Sequence, residues 1–229
     1  MEKISVLDHG YVRLVDHLGN DLTVANTART SFAKESAVLT EKDEKLINYL
    51  VKHKHDSCLR HNVMTFEVYA PLMVTRQWQK HIVASTHADE QLGWNEESRR
   101  YVNHGEEFYV PSEFLGVPEN KKQGASGPVS TELNEAHRSM LVRHQQLSLE
   151  LYQAAMDNGI APEQARLFLP AYGLYVHWRW TASLNAVFNF LDLRLDEHAQ
   201  YEIRLYAQAI EPMVAEKFPI TYKAWQQRQ

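Results

Sequence analysis

The sequence predicts an α+β fold, with helices packed on one antiparallel or mixed sheet. Three observations point there. Short β-branched runs mark the N-terminal third. Long apolar stripes at helical spacing mark the C-terminal half. The chain has no glycine-rich phosphate loop of the Rossmann or P-loop kind.

Residues 4–16 hold two β-branched runs around Asp8-His9-Gly10 and read as a hairpin or two edge strands. His17 to Asp21 reads as a turn, and Asp21 as the cap of a short helix running to about Ser31. Leu46, Ile47, Leu50 and Val51 share one face of a helix over 41–53. Residues 64–74 read as a strand that Pro71 places at an edge or an end. Residues 116–131 are loop, with three prolines and glycines in the first nine positions (Gly116, Pro118, Gly124) and two more after them. Leu133, Ala136, Met140, Leu147 and Leu151 mark a long helix. Ala199, Ile203, Tyr206, Ala207, Ile210 and Val214 mark another after Asp196, and both stripes read as core packing. Between them, Tyr172 to Trp180 reads as a strand.

A chain of 229 residues with 44% hydrophobic content is expected to form one domain over 1–229 with a packed core. The formal net charge of -5 argues against a duplex nucleic-acid binder. One cysteine, no signal-like N-terminus and no long apolar segment give the expectation of a cytoplasmic protein away from membranes.

Three groups of residues could carry chemistry. Cys58 lies among Lys54, His55, Arg60 and His61, which would favour a thiolate; the plainer reading is a small packing residue. His53, His55, Cys58 and His61 are possible zinc ligands, but their spacing fits no standard zinc pattern, so no metal is expected. The third group is RQWQKHIVASTHADEQLGWNEESRRY, residues 76–101. It gathers three arginines, a lysine, two histidines, four carboxylates and two tryptophans. Arg76, Arg99 and Arg100 are suited to grip phosphate, and Gln77 and Asn95 to read the edge of a base. An isolated cluster of this kind would more simply be a solvated charged face.

Order and spacing decide the matter. Arg76-Gln77-Trp78, Lys80-His81, Ser85 and Asn95-Glu96-x-Ser98-x-Arg100-Tyr101 resemble the signature R-H-R-x-x-S-x-N-E-x-S-x-R-Y of the flavin-dependent thymidylate synthases, often preceded by R-Q-W. The N-terminal stretch VLDHGYVRLVDHLGNDLTVANTARTSF, the segment ARLFLP (165–170) and the block FNFLDLRLDEHAQYEIRLYAQAI (188–210) are similar to the same family. The chain departs from the pattern at Lys80, at Ile82 and at Arg60. It also carries THADEQLGW (86–94) as an insertion between Ser85 and Asn95.

The resemblance implies a homotetramer that binds FAD at subunit junctions and converts dUMP to dTMP. The methylene would come from methylenetetrahydrofolate, a folate substrate, and the reducing equivalents from NADPH through the flavin, with no enzymic cysteine nucleophile. It implies Arg194 as the catalytic activator of the uracil ring. It places Gln77 and Lys80 on dUMP from one subunit, Glu96, Ser98, Arg99 and Arg100 from another, and Arg166 as a further cation. For FAD it implies Ser57, Lys80, His81, Ile82, Asn95, Glu96, Ser183, Asn185, Asn189 and His198. For His198 the plainer alternative is a neutral surface histidine. Two rival functions are one-carbon transfer to another pyrimidine nucleotide, and a non-catalytic nucleotide- or RNA-binding module.

Overall fold

The computed structural model describes residues 2–81, 93–97, 106–119 and 124–228. Among the described residues, five strands form one antiparallel sheet in the order β1-β2-β3-β5-β4: β1 (Ile4–Val6), β2 (Gly10–Leu18), β3 (Val63–Pro71), β4 (Trp94–Glu96) and β5 (Tyr175–Ser183). The predicted N-terminal hairpin is present as β1 and β2. Gly10 is needed there, because a Cβ would lie 1.9 Å from the Tyr206 hydroxyl and under 3 Å from two backbone oxygens.

Alternation sorts the two faces of the sheet. Met64, Phe66, Val68 and Ala70 of β3 and Trp178, Trp180 and Ala182 of β5 enter the core. The opposite face carries Tyr11, Arg13, Glu67, His177 and Arg179, paired across the strands. Burial alone would push the Glu67 carboxyl up. Hydrogen bonds from Arg13 (2.5 Å) and Tyr11 (2.9 Å) outweigh it and hold the group at about 2.

The helices are α1 (Asp21–Arg29), α2 (Glu41–Lys52), α3 (Leu72–Trp78), α4 (Thr131–Asp157), α5 (Pro162–Ala165), α6 (Leu184–Arg194), α7 (Tyr201–Lys217) and α8 (Pro219–Gln227). Among the described residues, no helix is long and apolar enough to cross a membrane. Helices α3, α6 and α7 lie against the sheet and shut its aromatic face. Trp78 is the centre of that layer. It stacks on Phe190 at 4.6 Å and meets Trp178 and Trp180 edge-on. A second cluster, including Phe108, Tyr152 and Leu169, sits under α4.

Several boundaries differ from the sequence expectations. His17 and Leu18 are not a turn; they extend β2 opposite Met64 and Val63. Asn20, not Asp21, caps α1 by accepting from Thr23 N. Asp21 is buried and instead accepts from Ile220 N, Thr221 N and the Thr221 hydroxyl, which fixes the start of α8. The third strand stops at Pro71, and α3 begins at once. The strand expected at Tyr172 begins at Tyr175, after a 3₁₀ turn over Ala171–Gly173. The last long stripe begins its helix at Tyr201, and residues 196–199 form the turn before it.

The two long stripes part company. On α7, Ile203, Tyr206, Ala207, Ile210 and Val214 are fully buried, as expected of core. On α4, Leu133, Met140, Leu147 and Leu151 are 45–63% exposed. What α4 buries is a different face, with Gln145, Ser148, Tyr152 and Ala155. Its apolar stripe is therefore not core within this chain.

Candidate active site

A cavity of about 1060 Å³ opens where the end of α3, the end of α6 and the start of α7 converge beneath residues 109–115. Gln77, Arg194, His198, Gln200, Glu202 and Tyr109 are on its wall. Each has a local reason to be there. Trp78 anchors the last turn of α3 in the core and leaves its neighbour Gln77 half-buried at the rim. Arg194 is the last residue of α6, a helix whose other positions are mostly buried and apolar. Asp196 accepts from the His198 backbone N–H at 2.8 Å and from its ring at 3.1 Å, which folds the turn that carries His198.

Arg194 is half-buried, and burial draws its guanidinium below the usual arginine range without removing its charge. Its Nε donates to His81 Nε2 at 3.0 Å. No described carboxylate pairs with it. Asp192 is taken by Arg228 and Asp196 by His198.

His81 is 2% exposed and sits edge-on against Phe190. Burial first, and the Arg194 charge second, push it down to about 4. It is therefore neutral near pH 7. Since arginine can only donate, Nε2 is the acceptor and Nδ1 carries the proton. That buried Nδ1 has no partner among the described residues. It is a donor fit for a bound polar group. Asn185 and Asn189, at i,i+4 on α6, add two half-exposed amides on one helix face. These donors and acceptors suit the polar edge of a flavin.

Of the residues singled out in the sequence, Gln77, Arg194, His198 and Gln200 are on the cavity wall. His81 joins them only through its bond to Arg194, and Asn185 and Asn189 lie nearer the start of α6, off that wall. Lys80 is exposed beside His81. Arg76 is exposed too. Asn95 and Glu96 stand exposed on β4 at the sheet edge, opposite Arg179 and Trp178. Ser57 is exposed in the 3₁₀ turn Asp56–His61. Arg166 is exposed near α5 and donates to the Glu163 carbonyl. Ser183 is fully buried, and its hydroxyl already caps α6 by accepting from Ala186 N. Ile82, Ser98, Arg99 and Arg100 lie outside the described residues, as does most of the 86–94 insertion.

Cys58 is buried in the core and away from the cavity wall. His53 and His55 flank exposed Tyr49, with ring centroids at 4.4 and 5.9 Å. Among the described residues, no three His, Cys, Asp or Glu side chains gather to hold a metal. Sequence reasoning missed Tyr109 and Glu202. Glu202 lies two residues past Gln200 in a block already noted, but nothing in spacing alone shows which way it faces.

Residues 13–220 match the family described as thymidylate synthase complementing protein. A flavin-dependent thymidylate synthase of Thermus thermophilus is 39% identical, over 98% of this chain and 78% of that protein. One of Thermotoga neapolitana is also 39% identical, over 97% of this chain and 94% of that protein. Among solved structures, the UMP/dUMP methylase PolB of Streptomyces cacaoi bound with 5-Br dUMP superposes with a TM-score of 0.81. It is 33% identical, over 97% of each chain. The same enzyme bound with 5-Br UMP also gives 0.81, at 30% identity over 98% of this chain and 97% of that one. On this evidence the chain belongs to the flavin-dependent thymidylate synthase family.

Proposed function

We propose that this chain, acting as one catalytic domain, methylates dUMP to dTMP. Methylenetetrahydrofolate is the carbon donor and NADPH the reductant, with FAD as cofactor. One observation carries the reading: Arg194 is a half-buried cation at the cavity wall, held by a neutral imidazole and neutralised by no described carboxylate. Such a guanidinium is prepared for a ligand that develops negative charge. Uracil does so at its carbonyl edge when the ring is attacked or when its N3 ionises. Arginine suits the task because it stays charged as water leaves.

FAD supplies the hydride chemistry when bound. His81 Nδ1, Asn185, Asn189 and His198 are the residues in this chain placed to hold it. Ser57, Lys80, Ile82, Asn95, Glu96 and Ser183 follow from family resemblance, although the Ser183 hydroxyl is already used as a cap. Burial of Cys58 supports a reaction without a cysteine nucleophile.

Arg166, Ser57 and Glu96 stand apart from the cavity of their own chain, and α4 leaves an apolar stripe uncovered. Both features support a homotetramer in which other copies complete each site. A second reading is favoured by the structural neighbour, a UMP/dUMP methylase. In this reading UMP is also a substrate, differing from dUMP by one ribose hydroxyl.

The test is Arg194→Ala, assayed for methylated product with dUMP and with UMP. Loss of one preorganised donor to developing charge predicts a fall in turnover of about 10²–10³-fold, with flavin absorbance retained. Near-normal turnover would remove Arg194 as the activator. Methylation of UMP by the wild-type protein would establish the second reading beside the first.

A further inference from the structure

Gln77 lines the cavity and donates its amide N–H to the side-chain oxygen of Gln200, 123 residues away. Gln200 in turn donates its own amide to Glu202 Oε2 at 2.8 Å. The other carboxylate oxygen, Oε1, accepts from the Tyr109 hydroxyl at 3.4 Å. All four residues border the same cavity.

The chain of bonds has only one consistent polarity. An ionised carboxylate can accept but not donate. Tyr109 stays a donor, because burial and the nearby Glu202 raise its phenol above the usual range. Glu202 therefore requires the NH₂ end of Gln200. That turns the Gln200 oxygen towards Gln77, which must offer its own NH₂ end. The oxygen of Gln77 is what remains for the cavity. A glutamine without this chain could turn its amide over and present either end.

We propose that Glu202 is a positioning residue that sets the amide polarity of Gln77 through Gln200, so that Gln77 selects a hydrogen-bond donor on the nucleotide. Two groups of dUMP meet that description, the ring N3–H and the 3′-hydroxyl. The proposal deepens the dUMP reading and rests on it.

The experiment is a double-mutant cycle on the purified full-length protein, read by calorimetric titration of dUMP. Glu202→Gln keeps size and shape but lets the chain of amides reverse. It is expected to weaken dUMP binding about tenfold in the wild-type background. In the Gln77→Ala background the same change is expected to have almost no further effect, because no amide is left to orient. Glu202→Gln should raise the KM for dUMP more than it lowers kcat, and leave the flavin spectrum unchanged.

N3-methyl-dUMP and 2′,3′-dideoxy-UMP identify the donor. The analogue lacking it should bind the wild-type protein poorly and show little further loss with Glu202→Gln. Additive effects of Glu202→Gln and Gln77→Ala, or unchanged dUMP affinity in Glu202→Gln, would overturn the relay alone. Failure of the wild-type protein to bind dUMP would overturn the function reading and the relay with it.

Discussion

Helices α4 and α7 carry apolar stripes of the same kind, yet α7 buries its stripe completely and α4 leaves its own in solvent. The difference teaches that hydrophobic periodicity reports a face that needs cover, and says nothing of which chain supplies the cover. On α7 the cover is the sheet together with α3, α6 and α8 of the same chain. On α4, exposed Leu133, Met140, Leu147 and Leu151 span most of the helix length, well beyond the scattered apolar residues of an ordinary surface. Under the proposed tetramer, copies of this chain provide it.

The largest effect should therefore come from charging the α4 stripe. Met140→Glu with Leu147→Glu should drive the protein to a slower-sedimenting form and reduce turnover at least 100-fold, if sites are shared between copies. Circular dichroism should still report a folded chain. Unchanged sedimentation would mean that the stripe is merely surface. The contrasting change on α7, Ile210→Ala, opens a cavity in the core of one chain. It should cost about 2–5 kcal/mol of stability, and the loss should persist at low protein concentration.

A third, smaller effect isolates a contact made wholly within the chain. The Glu67 carboxyl is held at about 2 by Arg13 and Tyr11 against the cost of burial. Its folded value is depressed, so its contribution is fully present above the unfolded value and fades as pH falls towards 2. Glu67→Gln should therefore lower the melting temperature at pH 7, with the gap from wild type closing on acidification. A gap that widens in acid would reverse the assignment. The smallest effect should be that of Cys58→Ala, a modest loss of packing with turnover retained. A folded but inactive Cys58→Ala protein would reopen the question of a cysteine nucleophile.

Much of the fold was legible because single-chain physics fixes it. The β-branched alternation of residues 4–16, the amphipathic face of α2 and the existence of β3, though not its stop at Pro71, obey local rules. Other parts were silent for definite reasons. β4 is three residues long and exists because the β5 edge recruits it. α6 is mostly buried and apolar, and its polar face is only the narrow stripe of Asn185, Asn189 and Asp192, a weak periodic signal. Asp21 had the right chemistry for a cap but is claimed by Thr221, far along the chain.

The site divides in the same way. Gln77, His81, Arg194 and His198 were found through family resemblance, and the fold brings all four around α6 and its following turn. Trp78, within the same ligand-rich stretch, proved to be a core anchor that positions Gln77. Glu202 could not be found from spacing, because its part depends on which end of two amides faces which neighbour.

The central proposal is that the protein binds flavin and dUMP together around α6 and Arg194. The most direct measurement is the visible absorbance of the purified protein, followed by NADPH oxidation with and without dUMP. The account predicts a yellow protein whose NADPH oxidation changes when dUMP is added. A colourless protein that takes up no added FAD would contradict it.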